Sequence, residues 1–311
     1  MATNVSIIIA CRNEEKYIGK CLDSIISQNY PKEKIEVLII DGMSEDKMKE
    51  IVKNYSENYP FIKIFENPQR YTSFGLNVGI KNSKGKIIIR MDAHASYEKD
   101  YISKCLKYLK EYNVDNVGGV IKTLPAKNTI VAKAIALALS SRFGVASDFR
   151  LGSKTPKFVD TVFGGCYKKE VFEKIGYYNE NLIRSQDLEF NLRLKKAGRK
   201  ILLVPEILAY YYSQDNFRDF FWHNFRDGVW ATYPLKFVKI PFRQRHYLPL
   251  IFILTLPLSI WPYILFSFFF SAQITVREKD FRYLFLMPIA FAYRHFSYGL
   301  GSIWRLIKLL K

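Results

Sequence analysis

Two short stretches carry side chains that could do chemistry. In RMDAHASYEKDY, Asp92 and His94 stand two residues apart just beyond an apolar run. Where a strand opens into a loop, positions i and i+2 can face the same side. Asp offers a hard oxygen and His an imidazole, which suits Mn2+ better than Mg2+, and two protein ligands leave coordination positions for phosphate oxygens. The same spacing also occurs in plain surface turns. In IRSQDLEFNLRLKKAGRK, Asp187 opens an amphipathic helix with Leu188, Leu192 and Leu194 as its apolar positions and Gly198 as its stop. That carboxylate is either a second acidic site or a helix cap. Upstream, Gly164 and Gly165 follow a predicted strand, Phe158–Phe163, and allow either a close backbone approach to a ligand or a tight turn.

The elements that must position these groups alternate. Val5–Ala10 and Ile35–Asp41 are short apolar, β-branched runs of the kind buried on both faces of a sheet. Phe61–Phe65 and Lys86–Asp92 add two more predicted strands. Helical patterns cover Glu14–Gln28, Ser44–Tyr55 with Ser44 as N-cap, and Thr72–Asn82. The alternation predicts an α/β fold with a mostly parallel, Rossmann-like sheet and helices on both faces. Such sheets bind ligands at the carboxyl ends of their strands. Asp41 and Asp92 both sit at predicted strand ends, though Asp also favours turns there.

Composition narrows the class. The 311 residues are 49% hydrophobic and 24% charged, with 47 Lys and Arg against 29 Asp and Glu, for a net charge of +18. That balance excludes a disordered tail and points to a polyanionic partner. Residues 217–311 hold 13 of the basic and 4 of the acidic residues, and this third of the chain is also its most apolar part. Basic residues beside apolar segments suit a membrane surface better than nucleic acid. Tyr247–Val276 is a run of 30 uncharged residues, longer than the roughly 20 a spanning helix needs. Pro257 and Pro262 are expected to kink it or make part of it re-entrant. Tyr283–Trp304 is a weaker span, interrupted by Arg294 and His295, which are expected to face a partner helix or a headgroup. Lys236, Lys239, Arg243 and Arg245 precede the pair, and Arg305, Lys308 and Lys311 follow it, which puts both flanks in the cytoplasm. Between catalytic region and tail, Asn216–Trp230 sets Phe217, Phe220, Phe221 and Phe225 opposite charged residues. It reads as an interfacial helix or as an ordinary packed one. The expected division is a catalytic domain at 1–215, an interfacial segment at 216–246 and a membrane-spanning hairpin at 247–311. Cys11, Cys21, Cys105 and Cys166 lack metal-site or disulfide spacing and read as free thiols, and the start of the chain shows no secretory leader pattern.

The order of these pieces resembles one family. VSIIIACRNEEKYIGKCLDSI, VLIIDGMSED, RYTSFGLNVGIKNSKGKIIIRMDAHASY, FGG and SQDLEFNLRLKKAG, over about residues 4–215, resemble the inverting family 2 glycosyltransferases of GT-A fold. DAHASYEKDY, AIALALSSRFGV, VDTVFGG, RSQDLEFN and FWHNFRDGVW are similar to the succinoglycan-biosynthesis glucosyltransferase (ExoA-like) branch, which also ends in a hydrophobic tail. The resemblance implies roles. Ala10, Arg12 and Glu14 would form the first nucleotide-contacting loop, Asp41 the nucleobase-side carboxylate, and Asp92 with His94 the metal and diphosphate motif. Asp187 would be the catalytic base, while Gly164, Gly165, Gln186, His223 and Arg226 would line the acceptor side. His94 replaces the usual second Asp of the metal motif, and Gln186 replaces a Glu beside the base.

The implied activity is transfer of a sugar from a UDP- or GDP-sugar, with Mn2+ or Mg2+, to a lipid-linked (polyprenyl-diphosphate) glycan at the cytoplasmic face of a membrane. A polyprenyl-phosphate sugar synthase, a nucleotidyltransferase and a non-catalytic membrane protein are the alternatives. No nucleic-acid partner is expected.

Overall fold

In the computed structural model, described for residues 3–145, 147–232 and 247–309, the chain divides into two compact units. Residues Met1–Lys122 with Gly152–Tyr211 form one, and Thr123–Leu151 with Tyr212–Lys311 form the other. The elements run β1 (Val5–Cys11), α1 (Ile18–Ile26), β2 (Ile35–Asp41), α2 (Met48–Asn58), β3 (Ile62–Glu66), α3 (Thr72–Asn82), β4 (Ile87–Arg90), β5 (Ala95–Tyr97), α4 (Tyr101–Glu111) and β6 (Asn116–Leu124). They continue with α5 (Ile130–Ala138), α6 (Asp148–Leu151), β7 (Lys157–Phe158), β8 (Cys166–Lys168), α7 (Glu170–Ile175), α8 (Gln186–Lys196) and β9 (Ile201–Tyr212). Four helices end the chain: α9 (Phe217–Thr232), α10 (Leu248–Leu254), α11 (Leu256–Glu278) and α12 (Arg282–Leu309).

The first unit is built on one curled, mixed sheet in the order β3-β2-β1-β4-β8-β6-β9-β5, with β7 added against β9. Its first half is parallel: β1 pairs in register with β2 and β4, and β2 with β3. All seven residues of β2 are buried, as expected of a β-branched strand covered on both faces. Beyond β4 the pairings turn antiparallel, β4 with β8, β6 with β8, and β5 and β7 with β9. The mostly parallel expectation therefore holds for one half of the sheet. After β4 the strict strand–helix alternation breaks, with β4–β5 and β7–β8 joined without a helix, and the later strands pair antiparallel.

Several boundaries moved. The helix expected from Ser44 begins at Met48, and Ser44 is not its cap. The Ser44 hydroxyl accepts from the Asn13 amide at 2.9 Å, and its own amide donates to Asp41 at 3.0 Å, so 42–47 is a tethered loop. The first helix starts at Ile18 rather than Glu14. Strand β4 ends at Arg90, which leaves Asp92 two residues beyond it. The strand expected at Phe158–Phe163 is only Lys157–Phe158, and further on the chain bends through Gly164 and Gly165 at φ +66° and +105°.

The second unit is helical. Ala134 and Ala138 of α5 pack with Ile274 of α11 and with Tyr283, Met287, Ala290 and Phe291 of α12. Helix α9 turns Phe220, Asn224, Gly228 and Ala231 inward at spacings of four, four and three. At Gly228 a Cβ would lie 1.9 Å from the Tyr298 carbonyl, so only glycine lets α9 and α12 approach this closely. Phe217 stacks on Tyr293, with ring centroids 4.7 Å apart. The aromatic face of α9 thus packs on α12 through Phe217 and beside Ile135 of α5 through Phe220, while Trp222 remains exposed.

The 30-residue apolar run is two helices separated at Thr255, with Pro257 in the first turn of α11, where a missing N–H costs nothing, and Pro262 inside it. Among the described residues, Leu256–Glu278 is the one helix long and apolar enough to cross a membrane by length and composition. Arg294 and His295 both face partner helices. Arg294 donates to Asn224 of α9, and His295 Nδ1 lies 3.1 Å from the Tyr263 hydroxyl of α11. Lys236, Lys239, Arg243, Arg245 and Lys311 lie outside the described residues.

Candidate active site

The chemistry-bearing residues of the first unit gather where β4 ends. Arg90 is the last residue of β4 and its side chain is 11% exposed. One guanidinium nitrogen lies 3.2 Å from Asp92 Oδ1, and the other lies 3.1 Å from Asp187 Oδ2. Two carboxylates 95 positions apart in the chain thereby meet on one cation. Burial draws the Arg90 pKa down, but the facing Asp92 and Asp187 carboxylates outweigh it and leave it raised. The backbone holds Arg90 in place. Its amide donates to the Gly165 carbonyl at 3.0 Å, and a Cβ on Gly164 would sit 2.5 Å from the Arg90 carbonyl. The two glycines therefore seat the strand end that carries the arginine.

Asp92 is fixed from several sides. Its amide donates to the Tyr97 hydroxyl at 2.7 Å, and its carbonyl faces the Cys21 thiol at 3.6 Å. Burial pushes the Tyr97 phenol well up, so it stays a neutral partner. His94 Nδ1 lies 3.0 Å from Glu14 Oε1, and its ring packs edge-on against Tyr211 at 5.1 Å. Burial lowers the His94 pKa, yet the hydrogen bond and charge of Glu14 and the charge of Asp92 leave it raised.

Asp187 is the second residue of α8, beneath Ser185, which takes left-handed φ +60°. Its Oδ1 accepts from the Leu188 amide at 2.8 Å, so one oxygen serves the helix and the other meets Arg90. The neighbouring Gln186 is buried, and its Oε1 has no partner. At the end of β2, Asp41 is fully buried, holds the Ser44 amide and pairs with Lys49 at 3.2 Å, which raises the Lys49 pKa. Ala10 is half-buried on β1, and Arg12 reaches Glu45 at 3.0 Å on the surface. His223 and Arg226 belong to the second unit. Arg226 is exposed, and His223 Nε2 lies 3.5 Å from Asp227.

The donor chemistry fits a divalent cation. Asp92 spends Oδ1 on Arg90 and keeps its other oxygen. His94 turns Nδ1 to a carboxylate, the arrangement that fixes the ring so that Nε2 can ligate. Among the described residues no group of three or more His, Cys, Asp or Glu forms a metal cage. A two-ligand site completed by diphosphate oxygens needs none.

Sequence reasoning missed Arg90, Tyr97 and Tyr211. The signal for Arg90 was there: a charge inside the apolar stretch IIIRM demands a buried partner.

A family model described as Glycosyl transferase family 2 matches residues 6–176. A protein of Methanococcus voltae is 35% identical over 224 residues, covering 70% of this chain and 69% of that protein. Its name is dolichyl N-acetyl-alpha-D-glucosaminyl phosphate 3-beta-D-2,3-diacetamido-2,3-dideoxy-beta-D-glucuronosyltransferase. Succinoglycan biosynthesis protein ExoA of Rhizobium meliloti is 25% identical over 229 residues, 73% of this chain and 68% of that one. Among solved structures, a mannosyltransferase of Pyrobaculum calidifontis in complex with GDP-Man and Mn2+ superposes with a TM-score of 0.66 at 18% identity, over 98% of this chain and 88% of that one. At that identity the likeness speaks for the GT-A fold.

Proposed function

This chain belongs to glycosyl transferase family 2, and from that premise we propose that it is an inverting, membrane-attached enzyme that moves a sugar from a nucleoside-diphosphate donor to a lipid-linked saccharide. The observation that carries this reading is the meeting of Asp92 and Asp187 on Arg90, since it sets a metal-type carboxylate and a base-type carboxylate on either side of one anchor.

In the proposed reaction Asp187 takes the proton of the acceptor hydroxyl while its oxygen attacks the anomeric carbon. The bond from that carbon to the β-phosphate oxygen breaks, its electron pair leaves with the nucleoside diphosphate, and one displacement inverts the centre. Asp92 and His94 would hold the divalent cation, which when bound neutralises charge on the departing diphosphate. Asp41, Ala10, Arg12 and Glu14 would border the nucleotide. Gly164, Gly165, Gln186, His223 and Arg226 are assigned to the acceptor side.

Attachment to a bilayer is supported by the apolar surface of α11, where Leu258 is 83% and Trp261 76% exposed. Positive flanks support a cytoplasmic active site. The name of the Methanococcus relative, which acts on a dolichyl-linked sugar phosphate, supports a lipid-linked saccharide over a bare polyprenyl phosphate. The test is nucleoside diphosphate release from a panel of UDP- and GDP-sugars, with Mn2+ or Mg2+ and lipid extract as acceptor. Pyrophosphate release, or no release from any donor, refutes the reading.

A further inference from the structure

We infer that Arg90 is a positioning residue that couples the metal-binding carboxylate to the catalytic base, an inference that rests on the proposed roles of Asp92 and Asp187. The guanidinium is planar and rigid, and it spends different nitrogens on the two acids, NH1 on Asp187 and NH2 on Asp92. Neither carboxylate is held bidentately, so each keeps lone pairs for another partner. The anchor itself cannot drift, because the Arg90 amide is tied to Gly165 and the next amide, of Met91, donates to the Ile8 carbonyl at 3.0 Å.

The charges give the coupling its direction. Asp92, Asp187 and Arg90 together carry one net negative charge. When Asp92 commits electron density to a cation, its hold on the shared guanidinium weakens, and the arginine turns its charge and hydrogen bond toward Asp187. Asp187 is then held in one orientation when a donor is in place. Conversely, removing the Asp187 charge leaves Arg90 to Asp92 alone, where it competes with the cation. Lysine cannot substitute: a single ammonium is a point charge without the two-pronged geometry.

The test is a double-mutant cycle on the full-length chain in detergent, reading Mn2+ affinity with UDP or GDP present and no sugar donor. Asp187→Asn is expected to weaken Mn2+ about five-fold or more, although Asp187 is not a ligand. In an Arg90→Met background the same change should shift Mn2+ affinity less than about two-fold. An equal effect in both backgrounds overturns the proposal, as does wild type that binds no Mn2+ with either nucleotide. Should Arg90→Met not fold, the neutral Arg90→Gln serves as the background with the same criteria. In transfer assays, Arg90→Lys should lower kcat with donor KM within about three-fold of wild type, because it retains the charge near Asp92 while losing the second contact; a change confined to KM overturns the coupling. The two readings fail separately. A chain that shows the cycle but transfers no sugar loses the transferase function and keeps the coupling. One that transfers sugar with no cycle keeps the function and loses the coupling.

Discussion

Two arginines in this molecule sit among polar partners inside otherwise apolar surroundings, one in each unit. Arg90 meets two carboxylates from distant parts of the chain, both partly open to solvent. Arg294, in α12, donates to the Asn224 amide oxygen, lies 3.8 Å from Asp227, and lies 3.4 Å from the Gly144 carbonyl. The first cluster carries excess negative charge and spare lone pairs. The second is close to neutral and ties three segments of one helical unit together. On the proposed function, the contrast separates a buried charge retained for chemistry from one retained for packing. Substitution at the first should remove activity and leave the fold, and at the second the reverse.

The largest effect is expected from Asp187→Asn. The amide still accepts from the Leu188 amide through its oxygen, so α8 should start where it does now. It cannot take a proton at neutral pH, and transfer should fall about 10²–10⁴-fold. At saturating Mn2+, nucleotide-sugar affinity and the melting temperature should be retained within measurement. Transfer near the wild-type rate would reduce Asp187 to a structural cap.

Glu14→Gln comes next. It keeps a hydrogen bond to His94 Nδ1 but loses the charge that orients and polarises the ring. Mn2+ affinity should drop about 10–100-fold, the usual cost of losing such a partner. Mn2+ titration with UDP or GDP present reads this directly, and unchanged affinity would take His94 out of the metal site.

How much of this was legible in sequence differs between the two regions. Asp92, His94 and Asp187 were singled out because each lies in a local pattern: a strand exit, a two-residue spacing, a helix start. The parallel half of the sheet followed from β-branched runs such as VSIIIA and IEVLII. The strands β5 and β8 were not found, because three residues cannot show a period of two; β7 was expected but placed too late, and the longer β6 and β9 were not picked out either. The partnership of Arg90 with Asp187 was also hidden, since nothing local marks a contact across 97 positions. In the helical unit, the apolar run IVAKAIALA was read with the catalytic region, yet α5 packs among α11 and α12. An apolar face states that it will be covered, not by what.

Gly228→Ala tests the packing side of the comparison. The added methyl would press on the Tyr298 carbonyl, a backbone atom that cannot rotate away. Separating α9 from α12 should cost about 1–3 kcal/mol. The loss should appear as a lower midpoint for unfolding of the helical unit in detergent, with Mn2+ affinity unchanged. An unaltered midpoint would mean that α9 and α12 pack less closely than described.

The smallest effect is expected from Asp227→Asn, and it is the sharpest test of the contrast. Asp227 is 29% exposed and faces both His223 at 3.5 Å and Arg294 at 3.8 Å. Both distances are long for charge-assisted bonds, and solvent screens the pair. Asparagine keeps an oxygen for either partner, and Arg294 retains Asn224 and the Gly144 carbonyl. The cost should therefore be within about 1 kcal/mol of stability, the range of exposed ion pairs, and smaller at high salt. The equivalent change at Asp92 removes a charge that Arg90 and a cation both need, so Asp92→Asn should abolish metal-dependent donor binding while barely moving the unfolding midpoint. Measured side by side, the two Asp→Asn variants should move opposite observables. If Asp227→Asn instead lowered sugar transfer strongly at unchanged stability, the polar cluster around Arg294 would belong to the reaction and the division between the two arginines would fail.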